Sequence, residues 1–433
     1  MKRLIAGAAV AAAAVALLAF DYLRPGVLMV NPERWRAMDE AQAVAERIRR
    51  AEARSQGVRG LYMTSTVAND RGRAATKLRE DIVALLDETE LDALVIDVKE
   101  TEGGLIITDD VTTLISELHA KGVWVIARQA VFKDSSQEAA HPEWYLKRAD
   151  ARLPDGQGRL WRDNRSGSWL DPASREVWTY QLESAKAAAD AGFDEIQFDY
   201  IRFPSDGDVD AASYPAYDGK RPKSDVLREF FAFLHGGLKA HRPELMLSAD
   251  LFGHVALERG DLGIGQRLED IGEYFNYVSL MVYPSHYYSG FEAPADPGRN
   301  LPALSLPYRH RDPARVAASH PYEVVHRTLL IANDVLAGKI STTTDQVGEI
   351  VTATSSPISS VSPSSPARRA KLRPWLQDFD LAFDSGRGIR YDAKKIRAQI
   401  DAAEAAGASG WLLWSPDNVY TKEALQPKPA QSP

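Results

Sequence analysis

The sequence predicts an α/β fold, a (β/α)8 TIM barrel with loop insertions, preceded by an N-terminal membrane-targeting helix. Three observations carry this. Short apolar segments recur eight times through residues 58–420, most pairs are separated by a helical pattern, and polar or charged residues collect at the carboxyl end of nearly every segment. In a parallel barrel that end is the face that meets ligand. A doubly wound open sheet competes, but no Gly-x-Gly-x-x-Gly turn follows the first segment, and the polar exits recur round the chain instead of meeting at one crevice.

The first strand, residues 58–63, is followed by a turn-rich loop with Asn69, Asp70 and Gly72 and by a helical period over 74–88. The second, 91–100, carries Asp97 and Lys99 on one face by simple alternation, with Glu100 at its exit. A helix over 111–121, stopped by Gly122, leads into the third strand, 123–128, which ends at Arg128. Residues 129–177 are rich in aromatics and turn formers without a clear period, and a structureless loop of that length in a compact domain is usually functional.

The fourth strand, within 194–204, organises the rest. Ile196, Phe198, Tyr200 and Ile201 suit a pleated, buried surface, while Gln197 and Asp199, two apart, point together to the other face and take an acid into the core. An Ala-rich helix over 176–191 precedes it, with Gly192 as the stop, and Arg202 follows at the mouth. A helix over 224–241 has Leu227, Phe230, Phe231 and Leu234 on one side. In the fifth strand, 245–252, Ser248 and Asp250 share a face, and the sixth, 277–284, ends at Tyr283 with His286 beyond. A helix over 322–336 comes next, then a Ser/Thr/Pro-rich insertion at 341–366. The seventh strand, 372–379, brings Trp375, Gln377 and Asp378; a helix over 392–406, stopped by Gly407, precedes the eighth, 410–416, with Trp414. Residues 421–433 read as a disordered tail.

Net charge is −8 with no long Lys/Arg block, so the footprint of a nucleic-acid binder is missing, and a neutral substrate suits this surface better than a polyanion. Cysteine is absent, which removes disulfides, a thiol nucleophile and Cys-ligated metal. Met1-Lys2-Arg3 followed by an unbroken apolar run over 4–20 is a targeting segment, with the body expected on the exported side of the membrane. Ala14-Val15-Ala16 satisfies the small-x-small cleavage rule, but Leu17, Leu18 and Phe20 continue the run and argue for an anchor; residues 1–23 are then signal anchor or signal peptide, and 24–57 a helical spacer.

The strand exits collect carboxylates (Glu100, Asp199, Asp250, Asp378), cations (Lys99, Arg128, Arg202) and aromatics (Trp124, Tyr283, Trp375, Trp414). Acids between aromatic walls suit sugar chemistry: pyranose faces stack on rings, one carboxyl protonates the leaving oxygen, and another attacks or activates water. Asp199 and Asp250 are the candidate catalytic pair, because adjacent strands carry both to one mouth; their roles are exchangeable at this stage, and Asp378 is a reserve acid. Lys99, Glu100, Arg128, Arg202, Tyr283, His286, Trp375, Gln377, Asp378 and Trp414 are candidate substrate contacts. No cofactor or metal is expected, since the nine histidines are scattered, although His254 lies close to Asp250.

Several motifs in this order resemble the bacterial putative glycosyl hydrolase domain family: Gly122 to Arg128 with Val131-Phe132-Lys133-Asp134, Pro142-Glu143-Trp144, Trp169-Leu170-Asp171-Pro172, Glu176-Val177-Trp178, Gly192 to Pro204, Met281 to Tyr287, and Arg373 to Phe379. The resemblance runs through residues 58–420 and implies a glycosidase-like TIM barrel without naming a sugar. The 341–366 insertion and the Ala-rich N-terminal run depart from it outside the motifs. The expected function is hydrolysis of an envelope or extracellular polysaccharide. The alternatives are a carbohydrate-binding barrel without catalysis, which would keep Trp144, Trp169 and Trp414 but tolerate loss of Asp199, and a metal-dependent polysaccharide deacetylase.

Overall fold

The computed structural model describes residues 32–152, 158–258, 260–340 and 370–428. The chain divides into two units, Met1–Ala53 and Arg54–Pro433. Pro32 opens a helix over Pro32–Arg54, in a stretch rich in helix formers. No helix among the described residues is long and apolar enough to cross a membrane. The apolar run 4–20 and the Ser/Thr/Pro-rich insertion lie outside the described residues.

In the second unit eight parallel staves close on themselves: β1 (Arg59–Met63), β2 (Ala93–Lys99), β3 (Trp124–Ala130), β4 (Glu195–Asp199), β5 (Met246–Phe252), β6 (Tyr277–Met281), β7 (Lys371–Leu372 and Trp375–Gln377) and β8 (Trp411–Trp414). Each pairs with the next, and β8 returns to β1 with Arg59 opposite Trp411, so the barrel has no free edge. β7 is broken at Arg373-Pro374, as expected where proline removes a ladder donor. Helices follow the strands on the outside: α1 (Arg73–Glu88), α2 (Asp109–Ala120), α3 (Arg175–Asp190), α4 (Lys223–His241), α5 (Leu268–Tyr274), α6 (Pro321–Leu336) and α7 (Ala393–Ala405). Their buried stripes, such as Leu227, Phe230, Phe231, Leu234 and Leu238 on α4, cover the outer face of the strands. Gly192 takes φ 104° just beyond α3, the left-handed position that lets the chain turn into β4.

Three expectations are corrected. β4 stops at Asp199, because Tyr200 adopts φ 51° and turns the chain out of the sheet. The 129–177 stretch is not structureless: a 3₁₀ turn (Pro142–Trp144) leads to two short strands, Lys147–Arg152 and Gly158–Leu160, which form an antiparallel sheet with Ala212–Ser213. Residues 421–428 are not a loose tail. They dock on the barrel through Glu90 N to Gln426 O (2.8 Å) and Lys428 N to Glu88 O (3.0 Å), and Leu425 is buried.

Candidate active site

Alternation along β4 and β5 acts as the sequence implies. Gln197 and Asp199 point inward from β4, and Gln197 Nε2 donates to Ser279 Oγ across the interior (2.9 Å). One layer nearer the carboxyl end, β2, β3, β4 and β5 each project a charged group to the same point. Arg128 is its centre: Nη1 donates to Asp97 Oδ1 (2.6 Å), Nη2 to Asp199 Oδ2, and Nε lies 3.6 Å from Asp250 Oδ2. Nε and Nη2 share one edge of the planar guanidinium, so Asp199 and Asp250 stand side by side on that edge while Asp97 takes the other.

Three carboxylates round one cation leave an excess of negative charge. Burial, and then the charge of Asp199, push the Asp250 carboxyl well above the usual carboxylate range, and burial also raises Asp97. The neutral form of the Asp250 carboxyl is therefore favoured relative to that of a free carboxylate. Its Oδ1 accepts a hydrogen bond from Trp375 Nε1 (2.8 Å), while its Oδ2 faces Arg128 Nε. Asp199 lies nearer the surface, with side-chain exposure of 9% against 1% for Asp250. Its Oδ1 accepts from the backbone N–H of Tyr200 (2.6 Å), so the left-handed residue that ends the strand also fixes the carboxylate.

Aromatic rings form one side of this centre. Trp414, half-buried at the end of β8, stacks on Tyr283 (5.6 Å between centroids, 23° between planes) and meets Phe379 edge-on at 5.1 Å. Trp375 is instead buried, packed edge-on to Tyr62 at 6.2 Å, so it orients Asp250 and presents little face to a ligand. Trp124 is at the opposite end from the mouth. It begins β3, and its Nε1 donates to Glu195 Oε2 (3.0 Å) beside the buried Arg373–Glu195 pair (2.9 Å).

The other candidates separate as follows. Lys99 does not share the face of Asp97: a bulge between the two shifts the β2–β3 register and turns Lys99 to the outside of the barrel, where its Nζ pairs with Asp134 (2.6 Å) and donates to Ala130 O (2.8 Å), both side chains fully buried. Glu100 accepts from Ser65 N (3.1 Å). Gln377, also buried, ties β7 to the loop after β6 through Ser285 Oγ (3.0 Å). Asp378 is occupied by Thr421, whose N and Oγ1 each donate at 2.9 Å, while burial raises its carboxyl to about 6. His286, held near 4 by burial and then by the Arg165 charge, is a neutral imidazole between Tyr283 and Tyr288. Arg202 packs over the rings of Trp169 and Phe252, 4.9 and 4.7 Å from their centroids. Among the described residues no group of three or more His, Cys, Asp or Glu side chains is arranged to hold a metal ion.

Asp97 and Tyr62 belong to the centre and were given no role from the sequence. Parity along β2 was the available signal for Asp97, since a charged residue two places from Val95 on a strand of this length has to face either the interior or the helices. Tyr62 gave no signal, because a tyrosine in a short apolar strand reads as core; its hydroxyl donates to Asp97 Oδ2.

A closed parallel barrel that gathers buried carboxylates round one arginine at its carboxyl-terminal mouth, with an aromatic wall beside them, has the architecture of the barrel hydrolases. The chain belongs to the family described as "Putative glycosyl hydrolase domain", whose model matches residues 60–420. Among solved structures, the glycoside hydrolase domain of PgaB (BpsB) from Bordetella bronchiseptica has the same fold, at 14% identity over 84% of this chain and 95% of that one with a TM-score of 0.51. A hypothetical protein from Ruminiclostridium thermocellum is 31% identical over 44% of this chain and 96% of its own, with a TM-score of 0.36. A variant of the glycoside hydrolase domain of PelA from Pseudomonas aeruginosa is 13% identical over 84% and 96%, with a TM-score of 0.38. No curated protein matches the chain.

Proposed function

We propose that the protein is a glycoside hydrolase acting on an envelope or extracellular polysaccharide, with Asp199 as nucleophile and Asp250 as general acid. The observation that carries this reading is the pairing of Asp199 and Asp250 on one edge of Arg128, one carboxylate nearer the surface and the other buried and pushed up in pKa. Two carboxyl groups in environments that separate their proton affinities are what acid and nucleophile roles require. Asp199 attacks the anomeric carbon as the glycosidic bond breaks, and the Asp250 proton passes to the leaving oxygen. Water then displaces Asp199 and returns a proton to Asp250. Carboxyl groups about 5–5.5 Å apart go with retention of configuration and wider spacings with inversion, and the shared guanidinium edge favours the close arrangement. The test is to screen envelope and exopolysaccharides for released reducing ends with wild type beside Asp199→Asn.

Trp414 supplies the stacking surface of the cleft in this reading. Trp414→Ala is expected to weaken oligosaccharide binding by about 1–3 kcal/mol, measured by titration calorimetry. A lowered melting temperature with unchanged affinity of the folded protein would assign Trp414 to the core instead.

We also propose that residues 4–20 hold the protein at the membrane with the barrel on the exported side, on the strength of the apolar run and the two cations before it. Fractionation should find the full-length chain in the membrane pellet. Full-length protein in the cytoplasmic fraction would contradict the proposal.

A further inference from the structure

Among the described residues of the barrel unit four lysine or arginine residues are buried: Lys99, Arg202, Arg327 and Arg373. Lys99 is neutralised by Asp134 and Arg373 by Glu195. Arg327 has no carboxylate partner among the described residues, but both its terminal nitrogens donate to carbonyls, those of Pro302 and Pro294. Arg202 differs from all three. Its one hydrogen-bond partner among the described residues is the carbonyl of Phe203, reached from Nη1 at 3.0 Å, and no described carboxylate lies within ion-pairing distance of it. Nε and Nη2 have no hydrogen-bond partner among the described residues, and the side chain keeps a small exposed fraction, 7% for the residue.

A cation taken out of water without a counter-charge is unfavourable unless something else stabilises it. The rings of Trp169, Phe252 and Tyr200, with centroids 4.9, 4.7 and 5.5 Å from Cζ, do so in part through their negative faces. They also fix the plane of the guanidinium. What remains is a rigid Nε–Nη2 fork in a mostly dry aromatic cage, three residues after the proposed nucleophile, with burial opposing its charge and the more distant charges of Asp199, Asp206 and Asp163 acting on it without pairing with it. Such a fork matches a planar carboxylate, which it binds through two parallel hydrogen bonds. A second cation lies at the same mouth: Arg165 is exposed, its charge adds to burial in depressing His286, and its side chain has no ion-pair partner among the described residues.

We propose that Arg202 is a specificity-determining residue that binds the carboxylate of a uronic acid residue in the glycan at this mouth. The inference rests on the glycosidase reading and narrows its substrate to acidic polysaccharide. It also refines what composition implies, because a net negative surface can still hold a cation without a direct ion-pair partner.

The test uses the full chain carrying Asp199→Asn, so that ligands are not turned over, with trigalacturonate and glucuronate trisaccharides as probes and the matching galactose and glucose trisaccharides as neutral controls. Calorimetry should show at least one uronide bound about tenfold or more tightly than its neutral counterpart, with an affinity that falls as salt rises while the neutral one does not. Adding Arg202→Gln should remove that preference, and Arg202→Lys, which keeps the charge and loses the fork, should retain part of it. If Arg202→Gln fails to fold, the Arg202→Lys comparison carries the test alone. Equal or better binding of the neutral sugars, or an equal loss for both classes in the Arg202 variants, would overturn the proposal. Asp199-dependent hydrolysis confined to neutral glycans sinks this inference and leaves the glycosidase reading standing. Arg202-dependent uronide binding with no hydrolysis of any polysaccharide does the reverse.

Discussion

Replacing Asp199 by asparagine is expected to lower turnover on a confirmed polysaccharide by at least about 10²-fold while leaving the protein folded, the usual scale for losing a positioned acid, base or nucleophile. The fold should survive because the amide is isosteric and Arg128 keeps Asp97 at 2.6 Å and Asp250 on its other flank. The change also acts on the neighbour. With the Asp199 charge gone, one of the three influences raising Asp250 (burial, Asp199 and Asp97) disappears, so Asp250 should titrate lower, and the alkaline limb of any residual activity should move to lower pH. Proton NMR of the first-formed product should show the anomer of the substrate. A folded, fully active Asp199→Asn protein falsifies the assignment, and a product of inverted configuration would remove Asp199 as nucleophile and leave it as a base.

Arg128→Gln should be the most destabilising single change at the mouth. Asp97, Asp199 and Asp250 would face one another with no cation between them, and removing one partner of a buried ion pair generally costs about 3–5 kcal/mol. The loss should depend on pH with a definite sign. Asp97 and Asp250 already have folded-state pKa values above the ordinary carboxylate range, so the folded state binds more protons than the unfolded chain just above that range, and stability falls as pH rises through it. Without Arg128 this dependence steepens. Thermal melts should show the largest gap from wild type near neutrality and a narrower one in mild acid, where the carboxylates are protonated. A gap that does not change with pH would mean that Arg128 acts through packing alone.

Most of the barrel's order is written locally. The apolar runs that became β1 to β6 and β8, the helical stripes such as that of α4, and the stop at Gly192 each depend on neighbours within a few residues, so period and glycine position reveal them. The same holds for parity: two places apart means one face, which took Gln197 and Asp199 inward together. Local rules broke where one residue changed the count. The bulge after Asp97 sent Lys99 to the outside, and the left-handed Tyr200 ended β4 earlier than its composition implies.

The partnerships at the mouth were decided by the tertiary structure. From the sequence, Asp199 has Arg202 three places away as its obvious counter-charge, yet it pairs with Arg128, 71 residues distant, while Arg202 settles among aromatic rings. Trp375 reads as a wall for sugar and instead donates to Asp250 from 125 residues away, and Trp124, read as an exit aromatic, lies at the far end beside Glu195. Each outcome follows from the stagger of parallel strands round a closed barrel, which sets the heights at which side chains meet across the interior. The sequence by itself determined the eight barrel strands and, away from the bulge after Asp97 and the turn at Tyr200, which of their faces point inward, because those depend on spacing along one segment. Which inward groups touch depends on the registers of all eight staves at once, and only the closed barrel fixes them.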